Sequence, residues 1–416
     1  MIRKTAVLLC ALIFALPAFA MDAEKQAAHE KRLEELYQQH STFIKENIND
    51  ILSDYHEVTK IERMKTEKYE PRLYEVSFNE GDSVVMRFLP DYDEKRKQAE
   101  IDAMKAAHIA CSGPEVLAAN AGCGNLSYAI MEKVKTIPAT QVPWDKADTY
   151  KAFGLLLDAL HTKKFTVESD PSQFLYRQVP SYIKHITDKW ALLGNPGIPG
   201  LFEKIQACMD AAEKVLTPFK GKEVLVHGNL HAGNLLFTEL EDEDEDEYLD
   251  IQVVDWERVG QARDPMIDVA MVREMYVSKE WHETFMEEYE ANGYSDIQKI
   301  CLDLVCVVTS CWLGLAYTKV DPGYFAQRYP EIERQAQAGE LRVGQAVRNI
   351  THNGFKRETT KDYAEFGSLL LYKGVKHIDR GDHQRWIGLL KAAEEKRVSD
   401  EIIKEKEKEE EDCRVM

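Results

Sequence analysis

The stretch VLVHGNLHAGNLLF, Val224 to Phe237, sets His227, Gly228 and Asn229 side by side and follows them with Asn234. A second apolar run, IQVVD, ends on Asp255 and leads directly into Trp256 and Glu257. Phosphoryl transfer needs few parts: a base or orienting group for the attacking hydroxyl, oxygen ligands that hold magnesium, and cations over the phosphates. A loop presenting His227, Asn229 and Asn234 can supply the first two, provided that a second, acidic metal ligand arrives from a neighbouring strand. Asp255, at the end of its apolar run, meets that requirement.

The elements around these residues change period along the chain. Residues 22–55 show apolar positions at helical spacing between charges and predict one or two amphipathic helices. RLYEVSFNEGDSVVMRFLP then holds two β-rich runs, Leu73 to Phe78 and Ser83 to Leu89, joined by Asn79-Glu80-Gly81-Asp82, which predicts a hairpin. A helix from about Asp93 to Ile109 follows, and LSYAIMEKV reads as a further strand. From PWDKADTYKAFGLLLDALHTKKF onward the pattern is mostly helical, interrupted by two β-like runs, EVLVHG and IQVVDWE. His161, within LLLDALHTKKF, reads as a packed structural histidine. The acidic residues Glu241 to Glu247 between the two β-like runs read as a solvated, enlarged hairpin tip, with divalent-cation binding as the minor reading.

Composition narrows the function classes. The 416 residues, 44% hydrophobic, suffice for two or three domains or lobes, and the net charge of -19 argues against nucleic-acid binding. Arg3 and Lys4, the run TAVLLCALIFAL and the triplet Ala18-Phe19-Ala20 have the order of a secretory signal peptide cleaved before Met21. The expectation is therefore an exported protein, periplasmic or secreted. The cysteines beyond that segment include no C-x-x-C pair, so a zinc site is unsupported; Cys301, Cys306 and Cys311 read as core-filling residues of an apolar helix.

Taken together, His227-Gly228-Asn229, Asn234 and Asp255-Trp256-Glu257 resemble the loop and strand of the choline kinase and aminoglycoside phosphotransferase family. ARDPMIDVA, Ala262 to Ala270, is similar to the family's helix after the metal-binding strand, with Asp268 as a structural anchor. The resemblance covers roughly residues 55–385. It implies an α+β, two-lobed protein-kinase-like fold: a signal peptide at 1–20, a helical extension at 21–54, a small nucleotide-binding lobe at 55–138, a large helical catalytic and substrate lobe at 139–398, and a charged tail at 399–416. It also implies ATP and Mg2+ as cofactors, with Asn234 and Asp255 on the metal. SVVMRFLP resembles the strand that carries a cation toward the phosphates, which implies Arg87, and the helix after it implies Glu100 as the partner of Arg87.

The sequence departs from the family pattern at several positions. Asn229 stands where the family has its catalytic aspartate, and a neutral amide cannot take the acceptor's proton. The phosphate-covering segment has no glycine between Arg63 and Tyr74, leaving Lys65, Lys68 and Arg72 to contact phosphates by side chain. TSCWLGLAYTK replaces the choline kinase W-G-L-W signature, with Trp312, Tyr317 and Glu257 as the substrate-side residues. The resemblance thus implies a phosphotransferase of weakened activity toward a small hydroxylated molecule, with Asn229 and His227 in the catalytic loop. The alternative is an exported pseudokinase that binds a nucleotide, metabolite or protein partner without catalysis. Membrane association enters only through lipidation of the terminal CRVM.

Overall fold

The computed structural model describes residues 23–53, 57–64, 72–79, 81–137, 141–143, 146–162, 203, 207, 210, 225–230, 234–241, 247–257, 259, 265–275, 281–290, 302–303, 305–307, 309–311, 313–314, 322–338, 360–381, 384–392, 395–396, 398–399 and 402–403. The signal-peptide segment, Lys65, Lys68, the core of the acidic run, Trp312, Tyr317 and the CRVM tail lie outside them. The described residues fall into two compact units, one drawn from Met1–Lys97 and Val116–Lys133, the other from Gln98–Glu115 and Val134–Met416.

The first unit is a five-stranded antiparallel sheet under one long helix. Helix α1 (Ala23–Ile51) precedes β1 (Val58–Arg63), β2 (Leu73–Phe78), β3 (Ser83–Phe88), β4 (Val116–Asn120) and β5 (Tyr128–Glu132), in the spatial order β1-β2-β3-β5-β4. The turn predicted at Asn79–Asp82 joins β2 to β3, with Gly81 at φ +90, a conformation that a side chain disfavours. Strand β2 alternates half-buried and buried, so Tyr74, Val76 and Phe78 face one way, and Val84, Met86 and Phe88 of β3 join them. Ile44, Ile48 and Leu52 close over this face. They recur at intervals of four, which keeps them on one side of the helix.

A single polar pair lies within that apolar contact. The His40 ring stacks on Phe88 with centroids 3.8 Å apart, and its Nδ1 is 3.0 Å from the Tyr74 hydroxyl. Burial pushes the Tyr74 phenol above its ordinary range, more strongly than Arg63 lowers it. The hydroxyl therefore stays protonated and available for hydrogen bonding.

Helix α2 (Glu94–Ile109) starts on Asp93, whose Oδ1 accepts the Arg96 N–H at 2.9 Å. At its other end the Ser112 N–H reaches back to the Ala107 carbonyl at 2.9 Å, with Cys111 at φ +54 in the position that usually holds glycine. Val116–Asn120, beyond this helix, forms strand β4, paired with β5. Its sequence, VLAAN, carries little β-branched signal, so the pairing partner decides. Strand β1 likewise went unassigned, because VTKIER alternates weakly and lies at the sheet edge.

The second unit contains α3 (Ala147–Thr162), the hairpin β6 (Leu235–Glu241) and β7 (Glu247–Val253), then α4 (Met266–Met275), α5 (His282–Glu290), α6 (Pro322–Gln337) and α7 (Thr360–Asp379). The expected strand in EVLVHG is corrected: Leu225 and Val226 are buried without joining a ladder, and LLFTELE, which the sequence reading passed over, pairs with β7 from Leu235↔Val253 to Glu241↔Glu247. Glu241 and Glu247, the two ends of the acidic run, face each other at the end of this ladder. Glycines set the helix spacing. A Cβ on Gly154 would lie 2.6 Å from the Glu288 Cβ, and one on Gly374 would lie 2.5 Å from the Cys311 sulfur. Among the described residues no helix is long and apolar enough to cross a membrane.

Since Ile48 is fully buried in the small unit's core, Ile48→Ala should cost about 3 kcal/mol of stability, within the range for truncating a core isoleucine. Urea unfolding followed by tryptophan fluorescence measures it. A loss below about 1 kcal/mol would mean that α1 does not seal the sheet.

Candidate functional site

The loop at residues 227–229 is built on a carboxylate. Asp268, fully buried on the first turn of α4, accepts the His227 N–H on Oδ2 and the Gly228 N–H on Oδ1, both at 2.7 Å. Two successive amides can face one carboxylate because Gly228 takes φ +74, which turns the chain sharply. Hydrogen bonds to an ionised acceptor are about twice as strong as neutral ones. Helix α4 is itself fixed at its far end. Glu274 accepts the Ser310 hydroxyl and lies 2.8 Å from the Lys373 ammonium. Burial pushes the Glu274 carboxyl up, but Lys373 and Arg273 outweigh it and hold the group below its ordinary value.

The His227 ring carries the geometry onward. Its Nε2 lies 3.0 Å from the Val254 carbonyl, which can only accept, so Nε2 bears the hydrogen. Its Nδ1 then accepts the Asn229 N–H at 3.2 Å. Both nitrogens are used by the neutral ring. Burial lowers the His227 pKa from the ordinary 6.5, overcoming the upward pull of Asp268, the Val254 carbonyl and Asp255. The ring edge meets Trp256 at 4.6 Å, and the Trp256 indole N–H donates to the Val253 carbonyl at 3.3 Å.

Asn229 is therefore held through its main chain at both ends: its N–H on His227, and its carbonyl under the Asn234 Nδ2 at 2.9 Å. Because that bond uses the amide nitrogen, Oδ1 is the atom of Asn234 left with the chemistry to ligate a cation. The Asn234 carbonyl in turn accepts the Val254 N–H at 3.0 Å, which fixes the residue before Asp255 against the loop. Asp255 adopts φ +68, a left-handed conformation that costs a residue with a Cβ about 1–2 kcal/mol. Strain of this kind clusters at functional sites. One step back, the Val253 N–H donates to the Ser112 carbonyl at 2.8 Å, so the turn after α2 braces the same strand end.

These bonds bring His227, Asn229, Asn234 and the backbone before Asp255 into one assembly. Glu257 is half-buried in the turn after Trp256. Arg87 is buried on β3 opposite Leu73 and Ala129, in the first unit, while Glu100 is buried on α2 in the stretch belonging to the second. Among the described residues no three His, Cys, Asp or Glu side chains converge as metal ligands. The two oxygen donors expected on a metal are the Asn234 amide and the Asp255 carboxylate. Magnesium suits such a set, since it is bound through one or two carboxylates together with waters and substrate phosphates. The sequence reading did not connect His161 to this assembly, yet its Nε2 lies 3.5 Å from the Asp268 Oδ2 and its Nδ1 lies 2.6 Å from the Tyr289 hydroxyl. Only the Leu-His pair at the end of an amphipathic helix hinted at it.

The sequence profile of the phosphotransferase enzyme family matches residues 66–300. No curated protein matches the chain. Among solved structures, a Plasmodium vivax ethanolamine kinase is 12% identical, with a TM-score of 0.48 over 86% of this chain and 94% of that one. A spectinomycin phosphotransferase solved with ADP and spectinomycin is 11% identical, with a TM-score of 0.45 over 78% and 98%. A protein described as a fructosamine-3-kinase of Thermobifida fusca is 15% identical, with a TM-score of 0.42 over 77% and 98%.

Two outcomes follow from the loop geometry. His227 is held neutral, so its folded pKa lies below the unfolded 6.5. Its contribution to stability is complete above about pH 6.5 and is lost as pH falls through that value toward the folded pKa, with a limiting slope of about 1.4 kcal/mol per pH unit. Urea midpoints measured from pH 8 to pH 5 should show this fall, and His227→Asn should remove its component; an unchanged profile in the variant refutes the assignment. Separately, Asp255→Gly should relieve the left-handed strain and raise stability by about 1 kcal/mol, read from the same unfolding curves. A loss of stability would show that contacts of the Asp255 side chain outweigh its backbone cost.

Proposed function

The chain belongs to the phosphotransferase enzyme family, and from that premise we propose that it is an ATP- and magnesium-dependent phosphotransferase acting on a small hydroxylated molecule, with a slow chemical step. The observation that carries this reading is the intact frame of the loop: Asp268 holds the amides of residues 227 and 228, and the Val254 N–H on the Asn234 carbonyl ties the residue before Asp255 to it. Magnesium, when bound, would offset the charge of the β- and γ-phosphates. Arg87 would supply a fixed cation over the phosphates, with Glu100 as its partner.

In the reaction, the acceptor's hydroxyl oxygen bonds to the γ-phosphorus as the bond from that phosphorus to the ADP oxygen breaks. Asn229 accepts a hydrogen bond from the attacking hydroxyl through Oδ1 and so orients it, but an amide does not take up the proton, which leaves to water. Loss of a general base costs about 10²- to 10⁴-fold in rate. Positioning and electrostatics supply most of the remaining acceleration in phosphoryl transfer.

The same amide at Asn229 favours a second reading, in which the protein binds a nucleotide or metabolite and does no chemistry. Residues 1–20 support export in either case.

Thermal unfolding of the protein with and without ATP and magnesium separates these readings when combined with Asn229→Asp. Nucleotide at about 100 times its Kd should stabilise the native state by about 2.7 kcal/mol, and no stabilisation at saturating nucleotide would sink both nucleotide-based readings. With binding established, Asn229→Asp should raise phosphate transfer to a panel of amino alcohols and aminoglycosides by about 10²-fold or more. Binding without any such gain selects the non-catalytic reading.

A further inference from the structure

His161 sits outside the loop and contributes no atom to it, yet its ring approaches the carboxylate on which the loop is built. Asp268 is fully buried, and two backbone amides and the His161 ring lie against it. The Nε2 of His161 is buried and, among the described residues, has no hydrogen-bond partner within bonding geometry; the Asp268 Oδ2 lies 3.5 Å away. A buried donor left about half an ångström short of a carboxylate calls for an account, since such groups are nearly always satisfied. The other ring nitrogen is engaged: Nδ1 lies 2.6 Å from the Tyr289 hydroxyl on α5, with the two rings edge to face.

The tautomer follows from the partners. A carboxylate only accepts, so Nε2 must carry the hydrogen for His161 to approach Asp268 favourably, and Nδ1 is then the acceptor of the Tyr289 O–H. The hydrogen bonds consequently run in one direction, from Tyr289 to His161, toward Asp268, which also collects the amides of His227 and Gly228. From the loop they continue from Asn229 N–H to His227 Nδ1 and from His227 Nε2–H to Val254, beside Asp255. Tyr289 is buried, and Gly154 lets α5 lie close against α3 by leaving no Cβ to meet Phe285 and Glu288. The hydroxyl is thus delivered to His161 by rigid helix packing.

We propose that Tyr289 and His161 are positioning residues for the phosphotransfer loop. Tyr289 fixes the His161 tautomer, and His161 presents Nε2–H to Asp268 so that the carboxylate holds residues 227–229 and, through Val254, the approach to Asp255. The contact at 3.5 Å is the slack in this chain. It closes when the loop is loaded, as hydrogen bonds of catalytic loops tighten on ligand binding. The inference rests on the phosphotransferase reading for its purpose, but the hydrogen-bond chain is testable without any substrate.

The test uses the full chain with 15N-labelled histidine and the variants Tyr289→Phe, His161→Leu and His161→Gln. Long-range proton–nitrogen spectra without ligand should show His161 and His227 as Nε2–H tautomers in the unmodified protein. Tyr289→Phe removes one oxygen and should return His161 to a mixture of tautomers, with a changed His227 signal. His161→Leu should change the His227 signal as well, whereas His161→Gln, which can place an amide N–H near the former Nε2, should restore it. In titrations with ATP and magnesium, Tyr289→Phe and His161→Leu should weaken affinity by about two- to thirtyfold, the range of indirect couplings of this kind, and His161→Gln by less. An unchanged His227 signal in Tyr289→Phe and His161→Leu overturns the proposal, as does equal loss in Leu and Gln. If His161→Leu does not fold, Tyr289→Phe decides alone. Failure of the unmodified protein to bind nucleotide would count against the phosphotransferase reading, while the histidine spectra would still decide the positioning chain.

Discussion

One buried carboxylate organises the candidate site. Asp268 has no solvent to stabilise it, and burial of an unpaired charge costs far more than any single contact returns. Its partners must therefore come from the protein, and two of them are the amides of His227 and Gly228. This makes the loop conformation a condition of burying Asp268 and the position of Asp268 a condition of the loop. The glycine at 228 follows from the same constraint, because two consecutive N–H groups converge on one acceptor only where the chain turns through a left-handed residue. So does the neutral state of His227, which needs one donor and one acceptor nitrogen to join residue 229 to Val254.

Much of this was legible in the sequence, since it depends on residue types at short spacing. The His227-Gly228-Asn229 group, Asn234, Asp255 and the helix carrying Asp268 each occupy adjoining loops or strand ends in the second unit. The β2–β3 hairpin was equally plain, with its turn residues between two alternating runs. What stayed hidden depends on partners distant in the chain. LLFTELE shows no strict alternation and becomes a strand by pairing with β7, while Val116–Asn120 does so by pairing with β5. His161 and Tyr289 lie 128 residues apart, and the sequence offers no periodicity that joins them. Arg87 and Glu100 are both buried.

The first unit adds an element beyond the profile match at residues 66–300. Strand alternation divides β3 between two faces: Val84, Met86 and Phe88 enter the core under α1, and Arg87 belongs to the other side. Helix α1 is thus the backing of the strand that carries Arg87. The His40–Tyr74 pair makes this backing specific, because a buried polar pair tolerates fewer registers than an apolar contact does. A sheet in this position without a covering helix would expose Tyr74, Val76 and Phe78 to water, so α1 is required by the sheet's own composition.

The exchange at residue 229 also has a particular structural meaning. Two main-chain hydrogen bonds position Asn229, with the N–H on His227 and the carbonyl under Asn234. Neither bond depends on whether the side chain ends in an amide or a carboxylate. Replacing an aspartate here removes proton acceptance while leaving the frame that places Asn234 and the approach to Asp255. The frame that places Asn234 and the approach to Asp255 is therefore separable from the ability to take an acceptor's proton. A chain under no constraint at this site would be free to relax Asp255 out of its left-handed conformation, for example through glycine. Instead Asp255 keeps its left-handed backbone beside a loop whose hydrogen bonds are intact.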